Sequence, residues 1–93
     1  MTIKGKTKTG FEFEVDKGVL SDARFLELFA YVAENPNDAL RYFKLISLTL
    51  GEGQKERLFA YCKDENGHVP IERVGAEFAD VFTALREAAE TKN

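Results

Sequence analysis

The sequence is short of the side chains on which disulfides, metal sites and nucleophilic centres depend. Its 93 residues include one cysteine, one histidine and no tryptophan. A single cysteine allows no internal disulfide, which fits a reducing cytoplasm. One histidine and one cysteine together supply at most two of the four ligands that a structural zinc site needs. The composition therefore argues against a disulfide-stabilised fold and against a zinc protein.

The sequence also lacks long hydrophobic runs and a net positive charge. No apolar run approaches the roughly 18 residues of a membrane span, and the N-terminal MTIKGKTKTG lacks the apolar centre of a signal peptide. The formal charge is −3, and because Lys4, Lys6 and Lys8 lie at the start, the residues after them sum to about −6. So acidic a chain is a poor ligand for phosphate backbones. We therefore expect a cytoplasmic protein that binds neither membranes nor nucleic acid.

The chain does have enough apolar material for one core. It is 44% hydrophobic and contains eight phenylalanines and three tyrosines. A chain of this length buries one hydrophobic core but not two, so we expect residues 1–93 to form a single domain. Tyr31, Tyr42 and Tyr61 are aromatic residues of a kind enriched at protein interfaces, although each suits the edge of a core equally well.

The start of the chain, residues 1–16, predicts a β-hairpin. Phe11 and Phe13 alternate with acidic residues, so one face of the second strand is apolar. Lys4 and Lys6 stand at alternate positions of the first strand and are expected to face the glutamates of the second. Because a lone hairpin is only marginally stable, its phenylalanine face must pack on the rest of the chain.

The rest of the chain shows the periodicity of helices. Helices are expected over residues 21–34, 38–50, 53–64 and 70–90. The predicted fold is therefore α+β, mainly α, with a small N-terminal β-hairpin followed by about four helices. Few polar residues interrupt the circumference of the first helix, which predicts a central position. In the last helix an apolar line runs from Ile71 to Ala89, and Glu77 is among the charged residues assigned to the opposite side.

The stretch KDENGHVPIERVGAEF raises the question of a metal site. Asp64, Asn66 and His68 alternate as the first ligands of a calcium loop do. In such a loop, however, His68 would occupy the fifth position, a valine would replace the turn glycine, and Gly75 would stand where a bidentate carboxylate is needed. The pattern instead predicts a turn at Asn66-Gly67 between two helices, with the adjacent acids solvated and His68 exposed.

Two other groups of side chains have the residue types of a nucleophilic centre or of a DNA-reading surface, but their neighbours in the sequence argue against both functions. Cys62 and His68 lie six residues apart, as a nucleophile and its base can, but Cys62 falls on the apolar line of its helix. Gln54, Lys55 and Arg57 are residue types that read DNA, but acidic residues lie among them. We therefore expect a protein that is not an enzyme, with no catalytic residue, no cofactor and no metal.

The segment LGEGQKERLFAYCKDENGHVPIERVGAEFADVFTAL resembles the C-terminal half of small tail assembly chaperones. These proteins belong to long-tailed, siphovirus-type phages and prophages of Gram-positive bacteria. In that family a helix leads into an acidic D-E-x-G-x-V-P turn, which is followed by an amphipathic helix. Here the turn reads DENGHVP, over residues 64–70. The segment GFEFEVD also resembles the short strand with which such proteins often begin.

The resemblance implies a non-catalytic role in virion assembly in the host cytoplasm. Such chaperones bind the long, helical, aggregation-prone tape-measure protein and keep it soluble while tail-tube subunits polymerise around it. Many have a short form, which this chain resembles, and a longer frameshifted form, which would be the one to engage the tail-tube protein. For the client we expect a groove beside the first two helices, or the edge of a homo-oligomer.

Two alternatives stay open. The chain is also compatible with a small protein–protein interaction or regulatory module of another phage or bacterial system, and the neighbouring genes distinguish the two. A small enzyme is the more distant alternative, and it would require a metal or substrate signal that His68→Ala abolishes.

Overall fold

The computed structural model describes residues 1–90, with side chains described as far as residue 88. A β-hairpin precedes four α-helices, so the predicted α+β class, mainly α, is confirmed. The elements in chain order are strands β1 (Thr2–Lys6) and β2 (Glu12–Asp16), a 3-10 helix (Lys17–Ser21), and helices α1 (Ala23–Glu34), α2 (Ala39–Leu50), α3 (Glu52–Tyr61) and α4 (Ile71–Glu90). Within the described residues, no helix is long and apolar enough to cross a membrane.

The hairpin has one charged face and one buried face. Its strands pair antiparallel, with Lys4 opposite Glu14 and Lys6 opposite Glu12. Each lysine Nζ lies 3.9 Å from the facing carboxylate, which confirms the predicted cross-strand pairs. Exposed ion pairs contribute at most about 1 kcal/mol each, so the hairpin depends mainly on its other face. The apolar residues of that face are buried against the helices: Phe11, Phe13 and Val15.

Gly5 is the point of closest packing within the hairpin. A Cβ atom there would lie 2.7 Å from Cζ of Phe13, whose ring covers the glycine and is itself buried. We expect Gly5→Ala to lower the free energy of unfolding by about 1 to 3 kcal/mol, measured by urea denaturation. Gly53→Ala in α3 is the matched control, because nothing lies within 4 Å of the added Cβ. That variant should be neutral or slightly stabilising; an equal loss in both variants would contradict the packing argument.

The connection from β2 to α1 is a 3-10 helix that is absent from the sequence-based prediction. Asp16 caps this turn, since its carboxylate accepts the N–H of Gly18 at 2.9 Å. Asp22 then caps α1 by accepting the N–H of Arg24 at 2.8 Å, and the Arg24 guanidinium donates to both of its carboxylate oxygens. The side-chain hydrogen bond from Arg24 is the main reason why the pKa of Asp22 falls to about 2. As a result, α1 begins at Ala23 rather than at residue 21.

The core lies between the inner face of the hairpin and helices α2, α3 and α4. These helices contribute side chains that are almost fully enclosed: Leu45, Ile46 and Leu50 from α2, Leu58 from α3, and Val74, Phe78, Val81 and Leu85 from α4. Thr49 is buried among them and satisfies its hydroxyl by donating to the carbonyl of Leu45 at 2.7 Å. The central helices of the fold are therefore α2 and α4.

The prediction that α1 is central is wrong. Of its 12 residues only Phe25 is buried, whereas Leu26 and Phe29 are 49% and 43% exposed. A wide apolar stripe indicates how much apolar surface a helix has, but not how much of that surface its neighbours cover. One side of α1 packs on α2 and on the 3-10 helix, and another part stays uncovered. An apolar surface is thus left in solvent along α1.

Candidate functional site

The structure does not bring Cys62 and His68 together as a nucleophile and its base. Cys62 is buried in the core, and His68 is exposed in the turn that follows α3, as predicted. No hydrogen bond joins the two side chains in the described part of the chain. Burial, and after it the carboxylate of Glu77, raises the pKa of the Cys62 thiol, while Arg73 opposes the shift. Because a thiol with a raised pKa stays protonated at neutral pH, Cys62 is unsuited to nucleophilic attack.

The segment from Asp64 to His68 is a closed turn rather than a metal loop. Oδ1 of Asp64 accepts the backbone N–H groups of Asn66 and His68, both at 2.9 Å. Gly67 has the positive φ, 84°, that favours glycine, and its N–H donates to the carbonyl of Asp64 at 3.1 Å. The Asp64 carboxylate is thus engaged by the backbone and not merely solvated, while Glu65 is exposed. Among the described residues, no group of three or more His, Cys, Asp or Glu side chains is placed to hold a metal ion.

The prediction that Glu77 faces solvent is wrong. Glu77 is only 7% exposed, because the hairpin loop covers this part of α4. Its Oε2 accepts the hydroxyl of Thr9 at 2.7 Å, and the Tyr61 hydroxyl donates to the carbonyl of Thr9 at 2.7 Å. The other carboxylate oxygen of Glu77, Oε1, has no hydrogen-bond partner in the part of the protein that the structure describes. The sequence spacing does indicate that Glu77 is buried, because Glu77 is three residues after Val74 and four before Val81 on the buried stripe of α4.

Two of the three polar residues of α3 that resembled a DNA-reading surface, Gln54 and Arg57, are bonded to the hairpin. Nε2 of Gln54 donates to the carbonyl of Glu14 at 2.6 Å, and its Oε1 accepts the N–H of the same residue at 2.8 Å. Nη2 of Arg57 donates to the carbonyl of Glu12 at 3.0 Å. Lys55 forms an ion pair within α3 at 3.3 Å. Gln54 and Arg57 therefore hold the hairpin against α3, while the ion pair of Lys55 lies within the helix.

An apolar groove lies between α1 and α4, and we call it the α1–α4 groove. It has a volume of about 380 Å³. Its lining residues are Leu20, Phe25, Leu26, Phe29, Phe82, Leu85 and Arg86. Arg86 is the charged residue of this set, and it is exposed. The groove is therefore an open apolar surface with a single positive charge.

Phenylalanine rings hold the walls of the α1–α4 groove in place. The ring of Phe82 lies 5.1 Å from that of Phe29 and 6.0 Å from that of Phe25, in edge-to-face arrangements. Such pairs contribute about 0.5 to 1.5 kcal/mol beyond their buried area. The Phe82 ring also lies 4.9 Å from Phe78, which is fully buried in the core. The groove is thus preformed, because its floor is fixed by the same packing that stabilises the protein.

A second groove, between α1 and α2, has a different character. It has a volume of about 550 Å³ and is lined by Arg24, Glu27, Leu28, Tyr31, Arg41, Lys44 and Leu48. Three of these residues are basic and one is acidic. The Arg41 guanidinium lies 4.9 Å from the centre of the Tyr31 ring, and the hydroxyl of Tyr31 donates to Asp38 at 3.0 Å. The surface beside the first two helices is therefore the more basic of the two, and the more apolar groove lies towards α4.

Comparison of the chain with protein-family models, with curated proteins and with solved structures found no match. Its function is accordingly inferred from the chemistry of its own surfaces.

Proposed function

We propose that this protein is a non-catalytic tail assembly chaperone, which binds a tape-measure protein and keeps it soluble while a phage tail is built. The observation that supports this proposal most is the α1–α4 groove, where Leu26 and Phe29 are nearly half exposed. A continuous exposed apolar surface is typical of a site for another protein. A chaperone for an aggregation-prone helical client needs such a surface, and it also needs enough charge to stay soluble itself.

The dimensions of the groove suit an amphipathic helix. The 12 residues of α1 extend over about 18 Å, since an α-helix rises about 1.5 Å per residue. A client helix lying along α1 would insert apolar residues at i, i+3, i+4 and i+7. Fully burying one large apolar side chain contributes about 1.5 to 3 kcal/mol, and those of α1 are already half covered. Each contact is therefore weak, which suits a chaperone that binds at many places along a long helix and is later displaced.

The distribution of charge favours a client helix with acidic borders. The chain carries a net charge of −3, but basic residues stand beside α1 on both sides. Arg86 lines the α1–α4 groove, and Arg41 and Lys44 line the groove between α1 and α2. Acidic side chains flanking the apolar stripe of the client would meet these cations. Helices with basic borders should bind less well.

The proposed role places the protein in the host cytoplasm with the tape-measure protein as its partner. The chain would be the short form of the chaperone. A longer frameshifted form would add the part that engages the tail-tube protein. The C-terminal residues next to such an extension, 91–93, lie outside the described residues.

Co-expression with the neighbouring gene for a large helical protein tests the proposal. We expect most of that protein to move from the pellet to the supernatant when this chain is present, and an affinity tag on this chain to recover it. Equal insolubility with and without the chain would contradict the proposal. If the flanking genes encode neither a tail-tube nor a tape-measure protein, an interaction or regulatory module of another system becomes the better explanation.

A further inference from the structure

The backbone groups of β1 divide into an inner and an outer set. The N–H of Lys17 donates to the carbonyl of Met1, and that of Thr7 to the carbonyl of Phe11, both at 2.9 Å. Hydrogen-bonded pairs alternate along an antiparallel ladder. The odd-numbered residues from Met1 to Thr7 therefore direct their backbone groups towards β2. The even-numbered residues direct theirs away from β2, and we call these outward groups the β1 edge: Thr2, Lys4 and Lys6.

The outer edge of β2 is protected, whereas the β1 edge is not. On β2, Gln54 engages both the N–H and the carbonyl of Glu14, and Arg57 engages the carbonyl of Glu12. Helix α4 packs beside β1, and its Asp80 accepts the N–H of Lys8, just beyond the β1 edge, at 2.9 Å. In the described part of the protein, no hydrogen bond reaches the β1 edge itself, and its three residues are exposed. Among residues 1–90 the sheet has two strands. An open strand edge is a template for pairing with another extended segment.

The charge of the β1 edge favours one kind of partner strand over another. The side chains of Lys4 and Lys6 are 73% and 62% exposed on the solvent face of the hairpin. A second copy of β1 would pair lysine against lysine, which is unfavourable between facing strands. A strand with acidic residues at alternate positions would instead give each lysine a second carboxylate. β2 already provides the first, through Glu14 and Glu12 at 3.9 Å.

We propose that the β1 edge binds an extended segment of a partner protein by strand addition, and that this segment carries acidic residues at alternate positions. Hydrogen bonds to the outward N–H and carbonyl groups supply the affinity. Lys4 and Lys6 supply the selectivity for acidic side chains. The β1 edge shares no residue with the α1–α4 groove, so the inference stands independently of the chaperone role.

A capped, fluorescein-labelled peptide of sequence Thr-Val-Glu-Val-Glu-Val-Thr is the probe, and the same peptide with lysine for glutamate is its control. Fluorescence anisotropy with the full chain should show saturable binding of the acidic peptide, with the basic peptide about tenfold weaker or worse. Bound acidic peptide should also slow amide hydrogen exchange at Lys4 and Lys6. Absence of binding, or equal binding of both peptides, would overturn the proposal.

Two variants locate the binding at the β1 edge. Lys4→Pro removes an outward N–H without removing a hairpin hydrogen bond, as proline on an edge strand is tolerated. It should weaken acidic-peptide binding by about tenfold, whereas Lys63→Glu, an exposed change outside the hairpin, should have no effect. The double variant Lys4→Glu/Lys6→Glu keeps every backbone group and should reverse the preference to the basic peptide.

Three results with the variants would reject the assignment. The first is unchanged affinity in folded Lys4→Pro, and the second is an unaltered preference in the double variant. The third is self-association of the wild-type chain that Lys4→Pro abolishes, because a second copy would then be the occupant. Circular dichroism and thermal melting establish that each variant is folded before its binding is compared.

Discussion

Under the proposed chaperone role, replacing both Leu26 and Phe29 by serine is expected to abolish solubilisation of the client without unfolding the protein. Both side chains line the α1–α4 groove and are nearly half in solvent, so the fold loses the ring pair of Phe29 with Phe82 but keeps its buried core. The lost burial on binding amounts to about 1.5 to 3 kcal/mol in total, or roughly 10- to 150-fold in affinity. In co-expression, the soluble fraction of the tape-measure protein should fall to the level found without a chaperone.

Leu40→Ser provides the matched control for this double variant. Leu40 is 67% exposed on α2 and lines neither groove, so its replacement removes exposed apolar surface elsewhere. This control should retain client solubilisation. Equal activity of the control and the double variant, with both proteins folded, would show that the α1–α4 groove is not the binding surface.

Phe78→Ala is expected to cause the largest loss of stability among single substitutions in α4. Phe78 is almost fully buried, and its ring packs against those of Tyr42 at 5.8 Å and Phe82 at 4.9 Å. Truncating a buried phenylalanine costs about 3 to 5 kcal/mol through lost burial and the cavity that remains. Domains of this size have total stabilities of about 5 to 15 kcal/mol. The variant should therefore unfold at a much lower urea concentration than the wild type.

Leu40→Ala is the control for the stability measurement, because this leucine is largely in solvent. Its effect should stay within about 0.5 kcal/mol of the wild type. A loss below about 1 kcal/mol for Phe78→Ala would mean that the core collapses around the missing ring, and it would contradict the close packing of the Phe78 ring against Tyr42 and Phe82.

Local patterns were sufficient to predict the hairpin and the helices. The alternation of phenylalanine with glutamate makes β2 a strand with one buried face, and its partner lysines follow from the register. The turn at Asn66-Gly67 was predictable for a similar reason, since Gly67 supplies the positive φ without a steric penalty. Each of these features depends on residues that are close in sequence or directly paired.

The extent of burial was not predictable in the same way. A wide apolar stripe suggested that α1 is central, yet the neighbouring elements leave Leu26 and Phe29 uncovered. The charge of Glu77 suggested a solvent-facing residue, yet the hairpin loop, more than 60 residues earlier in the chain, covers it. In both cases burial depends on an element that is distant in sequence, and periodicity within one helix contains no information about that element.

The sequence by itself determined the order and type of the elements, the acidic charge and the scarcity of ligands for metal or nucleophilic chemistry. These properties belong to composition and to local periodicity. The tertiary structure decided which apolar face of α1 stays in solvent and that Glu77 is enclosed. It also decided that α3 protects the edge of β2 but not that of β1. Those outcomes follow from how the helices and the hairpin pack on one another, and the two proposed binding surfaces are what that packing leaves uncovered.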